Sequence, residues 1–228
     1  MSNAVFKSLA EIQPEAVEWL WEGRIPSGKV TLLEGEPGVG KSSLALELAA
    51  RVSRGAPMPF EKGLHETRPA NVILFSGDDG LADTVRPRLD AAHADLSHVW
   101  AVDREIDAGD VAELKPALII LDPLSCYISV SSEQTPVGVM RKLGQLARDT
   151  GAAILALQSV GDDMKDNWTP EFYGTPRSIL LLTPLGHGGR RLAIAKSNLR
   201  HIPDIHPLVY YFDDDGGEVR IVNWSDGR

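Results

Sequence analysis

Residues 32–43, LLEGEPGVGKSS, constrain this chain more than any other stretch. Within them Gly35-Glu36-Pro37-Gly38-Val39-Gly40-Lys41-Ser42 fits G-x-x-x-x-G-K-[ST] without a gap. The apolar run KVTLLEG precedes the motif and KSSLALELAARVSRG follows it. In the second run Leu44, Leu48 and Val52 share a helical face, and Gly55 stands where a C′ glycine would. The expected local structure is therefore strand, loop, helix. In that context the glycines let the loop turn its N–H groups toward phosphates, and the helix N-terminus adds positive potential. Lys41 would reach the β- and γ-phosphate oxygens, and the Ser42 hydroxyl would ligate Mg²⁺. The expected nucleotide-binding residues are Gly35, Glu36, Pro37, Gly38, Val39, Gly40, Lys41, Ser42 and Ser43.

Three further apolar runs, NVILFSG (71–77), PALIILDPL (116–124) and AAILALQS, are nearly continuous rather than alternating. That is the pattern of central parallel strands covered by helices on both faces. Between them lie a helical stretch, ADTVRPRLDAAHA, a short strand near HVWAVD, and a helix, TPVGVMRKLGQLARDTG, ending at Gly151. After Gly161 comes a polar loop, GDDMKDNWTPEFYGTP, followed by RSILLLTPL, RRLAIAKSNLR and LVYYFDDDGGEVRIVNW. The last reads as a β-hairpin around DDDGGE. The expected fold class is α/β, a mostly parallel central sheet flanked by helices with a C-terminal antiparallel extension. A chain of 228 residues holds one such core and is short for two. We expect one domain over 1–228: a lead-in over 1–28, a nucleotide-binding core over 29–160, and a loop plus antiparallel strands over 161–228.

A Mg²⁺ site beside a phosphate loop needs a carboxylate at the end of a neighbouring strand. ALIILD supplies Asp122 there, held extended by Pro123. NVILFSG ends in Asp78-Asp79, which brings two carboxylates to the same sheet edge. Either could orient an attacking water, and either could instead be a solvated turn acid or a helix N-cap.

The net charge of −9 bears on partners. Phosphate neutralisation supplies most of the affinity for nucleic acid, so contact with it by an acidic chain must be local, as in a ring lumen lined by a few basic side chains. Cys126 is the single cysteine and sits beside an apolar run, which reads as a buried, reduced thiol. No run approaches the length of a membrane span and the N-terminus lacks a signal pattern, so a cytoplasmic location is expected. The histidines show no metal spacing, and DDDGGE lacks the ligand ladder of a calcium loop. Trp19 and Trp21 read as closing the core or a subunit contact rather than packing on an adenine.

Taken together, GRIPSGKVTLLEGEPGVGKSSLALELAA, NVILFSGDD…RPRLDAA, LIILDPL, GAAILALQS and AIAKSNL resemble the RecA-like ATPases. The branch they look most like is the RepA-type hexameric replicative helicases of plasmids and phages. The resemblance implies a strand between the phosphate-loop strand and the one ending in Asp122. It also implies a homo-oligomeric ring, hexameric in that family, with ATP and Mg²⁺ at each subunit boundary. On it Lys41 is a catalytic phosphate ligand, Ser42 and Asp122 are Mg²⁺ ligands, and Asp78 takes the place of a catalytic glutamate. Gln158 takes the place of a γ-phosphate sensor, and Lys196 that of a basic residue reaching into the neighbouring subunit.

Three departures shape the functional expectation. Asp78 is one methylene shorter than glutamate, so hydrolysis would be slow or shared with Asp79. Where relatives place an arginine two residues after the lysine this chain has Asn198, the nearest arginine being Arg200. The loop after Gln158, in the place of a DNA-contacting loop, carries Asp162, Asp163, Asp166 and Glu171 against Lys165 and Arg177. Its aromatics Trp168, Phe172 and Tyr173 could stack on bases or anchor the loop to protein. Lys165, Trp168 and Arg177 are the residues expected to meet single-stranded DNA or a protein partner. The expected function is a Mg-ATP-hydrolysing, ring-forming DNA helicase or translocase of replication or recombination. The alternative is an ATP-gated loader or mediator acting through a replication or recombination protein, with slow hydrolysis. A small-molecule kinase is disfavoured because no arginine-rich lid is present.

Overall fold

The computed structural model describes residues 8–61, 68–133, 135–160, 169–199, 205–215 and 218–227. A nine-stranded sheet runs through the molecule in the order β11-β10-β9-β8-β3-β7-β6-β4-β5. Its strands are β3 (Val30–Gly35), β4 (Val72–Ser76), β5 (Val99–Val102), β6 (Leu118–Asp122), β7 (Ala153–Ser159), β8 (Ser178–Pro184), β9 (Gly189–Ser197), β10 (Leu208–Asp215) and β11 (Glu218–Asp226). Every pairing from β8 to β5 is parallel, and β8–β9, β9–β10 and β10–β11 are antiparallel. The doubly covered parallel core and its antiparallel extension are thus both present. One detail differs from the expectation: β8, grouped with the antiparallel segment 161–228, pairs in parallel with β3 and completes the core.

The continuous apolar runs have the predicted cause. Along β6, Leu118, Ile119, Ile120 and Leu121 are all fully buried, so both faces of the strand are covered. Leu118 and Ile120 face the layer that contains α1 (Lys41–Ser53) and α2 (Arg86–Ala91). Ile119 and Leu121 face the layer built by α4 (Leu124–Val130), α5 (Pro136–Thr150) and α6 (Pro170–Gly174). Joining β5 to β6 is α3 (Ala108–Leu114), opened by a capping box from Asp107 and Asp110. Gly151 closes α5 in the left-handed conformation, as the sequence predicts.

The lead-in forms a two-stranded ribbon, β1 (Trp19–Trp21) with β2 (Ile25–Pro26). Trp21 is buried, donates to the Pro59 carbonyl and meets Trp224 of β11 edge to face, so this tryptophan closes the core. The expected polar loop also holds structure: α6 places Phe172 fully inside the core, anchoring the loop to its own chain. Among the described residues no helix is long and apolar enough to cross a membrane.

Candidate active site

Because β3, β4 and β6 run parallel, the residues that end them share one edge of the sheet. The register fixes which: Gly35 lies opposite Ser159, and Ser76 lies opposite Asp122. A bond from the Gly77 amide to the Asp122 carbonyl, 2.8 Å, ties β4 to β6 at that edge. There a cavity of about 350 Å³ is lined by the phosphate loop, Ser76, Asp78, Asp79, Asp122 and Arg88.

The loop between β3 and α1 places Gly40 at the helix N-cap with φ of 100°, a conformation that favours glycine. No side chain caps α1, so its first N–H groups remain directed toward the cavity mouth for an anion to meet. Lys41 folds back over the loop and donates to the carbonyls of Gly35 and Glu36, each at 3.0 Å. Burial pulls its pKa down, with Asp122 opposing the shift. An ammonium partly stripped of water and satisfied only by carbonyls is well suited to take phosphate oxygens instead.

Asp122 accepts a hydrogen bond from Ser42. Its carboxyl is nevertheless pushed up, first by burial and then by the nearby Asp79 and Asp78. A half-buried carboxylate among other carboxylates, bonded to a hydroxyl, has the chemistry of a divalent-cation ligand pair. Mg²⁺ needs no more protein than this, because it keeps several waters and shares phosphate oxygens. Ser42 and Asp122 therefore fit the ion that the phosphate loop implies.

The two strand-end acids have different partners. Asp79 forms an ion pair with Arg88 at 2.9 Å, and its carbonyl accepts from Ser76. Asp78 accepts a hydrogen bond from the Cys126 thiol at 3.1 Å. Neither caps a helix: the following π-turn, Leu81–Val85, has Gly80 at its N-cap. Cys126 is half-buried rather than buried, a correction that follows from its place at the rim, where α4 starts behind Pro123.

Gln158, expected beside the γ-phosphate, is not in the cavity. Gln158 is buried, yet its amide donates to the Ser159 carbonyl and its side chain does not line the cavity. Strand alternation explains this: Ser159 turns toward the phosphate loop, so Gln158 turns to the opposite face. There it lies beside Glu34, whose carboxylate accepts from Tyr173 of α6. The Lys196 ammonium donates to the carbonyls of Tyr173 and Pro176, the second at 3.3 Å. It is engaged within its own chain. Lys165, Trp168 and Arg200 lie outside the described residues, and Arg177 immediately precedes β8 at the opposite edge of the sheet.

Sequence reading missed four contributors. Arg88 was visible only as one of a close arginine pair, although helical spacing after Asp79 carries the signal that it returns to the strand end. Cys126 comes within reach because α4 starts immediately after Pro123. Arg190 and Phe212 reach the loop from the antiparallel extension: Arg190 donates to the Val39 carbonyl at 2.7 Å and stacks over the Phe212 ring. A Cβ on Gly40 would lie 2.6 Å from that ring. Nothing local in the sequence signals either contact.

The family model described as an AAA domain matches residues 2–163. The DNA repair protein RadA of Mycobacterium tuberculosis is 31% identical over 208 residues, covering 90% of this chain and 36% of the relative. RadA of Mycolicibacterium smegmatis is 27% identical over 210 residues, covering 90% of this chain and 38% of the relative. The chain thus spans little more than a third of the length of these curated relatives. A KaiC-like protein from Pyrococcus horikoshii superposes with a TM-score of 0.59 at 15% identity, covering 91% of this chain and 100% of that one.

Proposed function

The chain belongs to the AAA domain family and has the RecA-like P-loop ATPase fold, and from that premise we propose that it binds and hydrolyses Mg-ATP to act on DNA. One observation carries the reading: Lys41, Ser42, Asp122 and the Asp78–Asp79 pair line a single cavity at the C-terminal edge of the parallel strands. In the proposed reaction the loop N–H groups and Lys41 hold the phosphates and stabilise charge that develops on the γ-phosphate oxygens. Ser42 and Asp122 hold Mg²⁺, which when bound neutralises phosphate charge. Asp78 orients the attacking water, because the carboxylate of Asp79 is committed to Arg88. Gln158 transmits occupancy to the loop that follows it from behind the sheet rather than by direct contact.

The finer assignment is a ring-forming helicase or translocase of replication or recombination, cytoplasmic and working on single-stranded DNA. In it Arg200 or Lys196 of a neighbouring copy completes the site. A second reading, an ATP-gated loader or mediator with slow turnover, is favoured by one feature: Lys196 is already bonded within its own chain. It also suits relatives named as DNA repair proteins. Steady-state ATP hydrolysis with and without single-stranded DNA, using Lys41→Ala as the blank, separates the two. Strong stimulation supports the motor; turnover indifferent to DNA supports the mediator; no turnover above the blank overturns both.

A further inference from the structure

At the edge of the sheet opposite the nucleotide cavity lies a second cleft, of about 490 Å³. Lys29 just before β3, Arg141 and Arg148 on α5, and Arg177 just before β8 line it. No aspartate or glutamate does. Among the described residues none of these four cations forms an ion pair. Arg148 donates to Gln145 on its own helix, and Glu171 lies near enough to Arg141 to feel its charge. Lys196 adds a further positive charge beside Arg177.

This arrangement stands against the rest of the molecule. The chain carries a net charge of −9, so four converging cations are not the average surface. Like charges lining one cleft repel one another, and an anion bound there would offset that repulsion. Gly28, Gly144 and Gly174 also line the cleft, and without side chains they leave backbone open to close approach. Gly144 sits inside α5, between Arg141 and Arg148 on the same face, where alanine would favour the helix by about 1 kcal/mol. A Cβ on Gly144 would lie 3.5 Å from the Arg148 guanidinium, an ordinary contact, so glycine here only leaves that guanidinium unhindered.

We propose that this cleft binds the phosphate backbone of a single DNA strand, remote from the ATP phosphates. Three features select a strand over a single phosphate group. Arg141 and Arg148 are two helical turns apart, about 10 Å at 1.5 Å per residue, which spans about three nucleotides of a stacked strand. Guanidinium groups match phosphate oxygens through paired donors, whereas a single compact anion would occupy one end only. The cleft also lies about 20 Å from the phosphate loop, the length of β3, so one nucleotide cannot fill both sites. This is the local contact that an acidic chain requires. It rests on the reading that the protein acts on DNA, and it puts the contact at the sheet edge, centred on Arg177 and α5.

The test is fluorescence anisotropy with a labelled twenty-nucleotide oligo(dT), titrated at several salt concentrations, on the full chain and on the double variant Arg141→Glu/Arg148→Glu. Both positions are exposed, and basal ATP hydrolysis and circular dichroism of the variant are expected to be unchanged. The expected result is at least a tenfold loss of affinity, with the salt slope falling by about 1.4 for two lost contacts. Arg177→Ala, a neutral change at the cleft wall, should give a smaller loss in the same direction. Equal affinity of wild type and variant overturns the cleft, as does failure of the wild type to bind. Capture by phosphatidylserine vesicles that the variant abolishes, without DNA binding, assigns the cleft to a membrane and overturns the proposal. Hydrolysis in the same samples judges the ATPase reading separately: turnover with DNA binding indifferent to the variant rejects the cleft alone. Variant-sensitive DNA binding without turnover keeps the cleft and rejects the ATPase.

Discussion

The Cys126 thiol donates to Asp78 Oδ1 at 3.1 Å, across the gap between α4 and the end of β4. Burial and the adjoining Asp78 carboxylate push the thiol pKa up, which keeps it a protonated donor. The contact orients the carboxylate that is proposed to hold the attacking water. Cys126→Ala should lower kcat about fivefold, the equivalent of one lost hydrogen bond of about 1 kcal/mol, and leave KM unchanged. Cys126→Ser should restore it. An unaltered kcat in the alanine variant would detach Asp78 from the thiol.

The same approach explains Gly77. A Cβ there would lie 2.4 Å from the Cys126 Cβ, so Gly77→Ala must displace α4 or the strand end. The expected cost is about 1–3 kcal/mol, read as a fall in Tm, with a loss of hydrolysis that Cys126→Gly partly reverses.

Asp122→Asn should make the nucleotide-free protein more stable while abolishing Mg-dependent hydrolysis. The Asp122 carboxyl lies above its ordinary value through burial and the acids beside it, so its charged form is destabilising at neutral pH. The sign follows: because the folded pKa exceeds the unfolded one, the penalty is present at neutral pH and disappears as pH falls through the folded pKa. Asparagine keeps an acceptor for Ser42 without the charge. A gain of about 0.5–2 kcal/mol, several degrees in Tm at pH 7.5 and less at pH 4.5, is expected from thermal melts without Mg²⁺.

Tyr173→Phe should destabilise more at pH 8 than at pH 5. Burial raises the Glu34 pKa and the Tyr173 hydroxyl opposes the shift by bonding to the carboxylate. That bond therefore contributes above the Glu34 pKa and is lost as the carboxyl protonates. Paired melts at the two pH values read the difference, and equal losses at both would remove Glu34 from the account.

Much of the sheet was legible because it rests on local pattern. The runs that became β3, β4, β6 and β7 are continuous for the reason given, burial on both faces, and the G-x-x-x-x-G-K-S segment needs no distant residue to be read. What failed to show was set by distance or by parity. Gln158 sits one residue before the position that faces the loop, and alternation alone sends its side chain to the other face. The bonds of Lys196 to the Tyr173 and Pro176 carbonyls depend on a turn whose path no local pattern specifies, while its expected reach into a neighbouring copy is a matter of assembly rather than of this chain's fold. Arg190 and Phe212 touch the loop from strands far along the chain, so no window around residue 40 contains them.

Arg190→Ala tests that long-range brace. It removes a charged donor to the Val39 carbonyl and a cation stacked on Phe212, together worth about 1–3 kcal/mol. Weaker binding of a fluorescent ATP analogue is expected, by about tenfold, with Arg190→Lys intermediate because lysine lacks the planar fork. Unchanged binding would show that the loop holds its shape without the extension.

The sandwiching of β3 between β7 and β8 has a bearing on synthesis. The strand before the phosphate loop is made more than 100 residues ahead of the strands that flank it, β7 and β8, and of the Phe212 ring that meets Gly40. During elongation β3 is a hydrophobic edge with no neighbour, a state that invites pairing with other chains. A product released at residue 160 keeps that edge permanently, since β8 is missing. Nucleotide can thus serve as a folding ligand only once β8 has been made, and a nascent chain stalled before β8 is one for chaperones to hold.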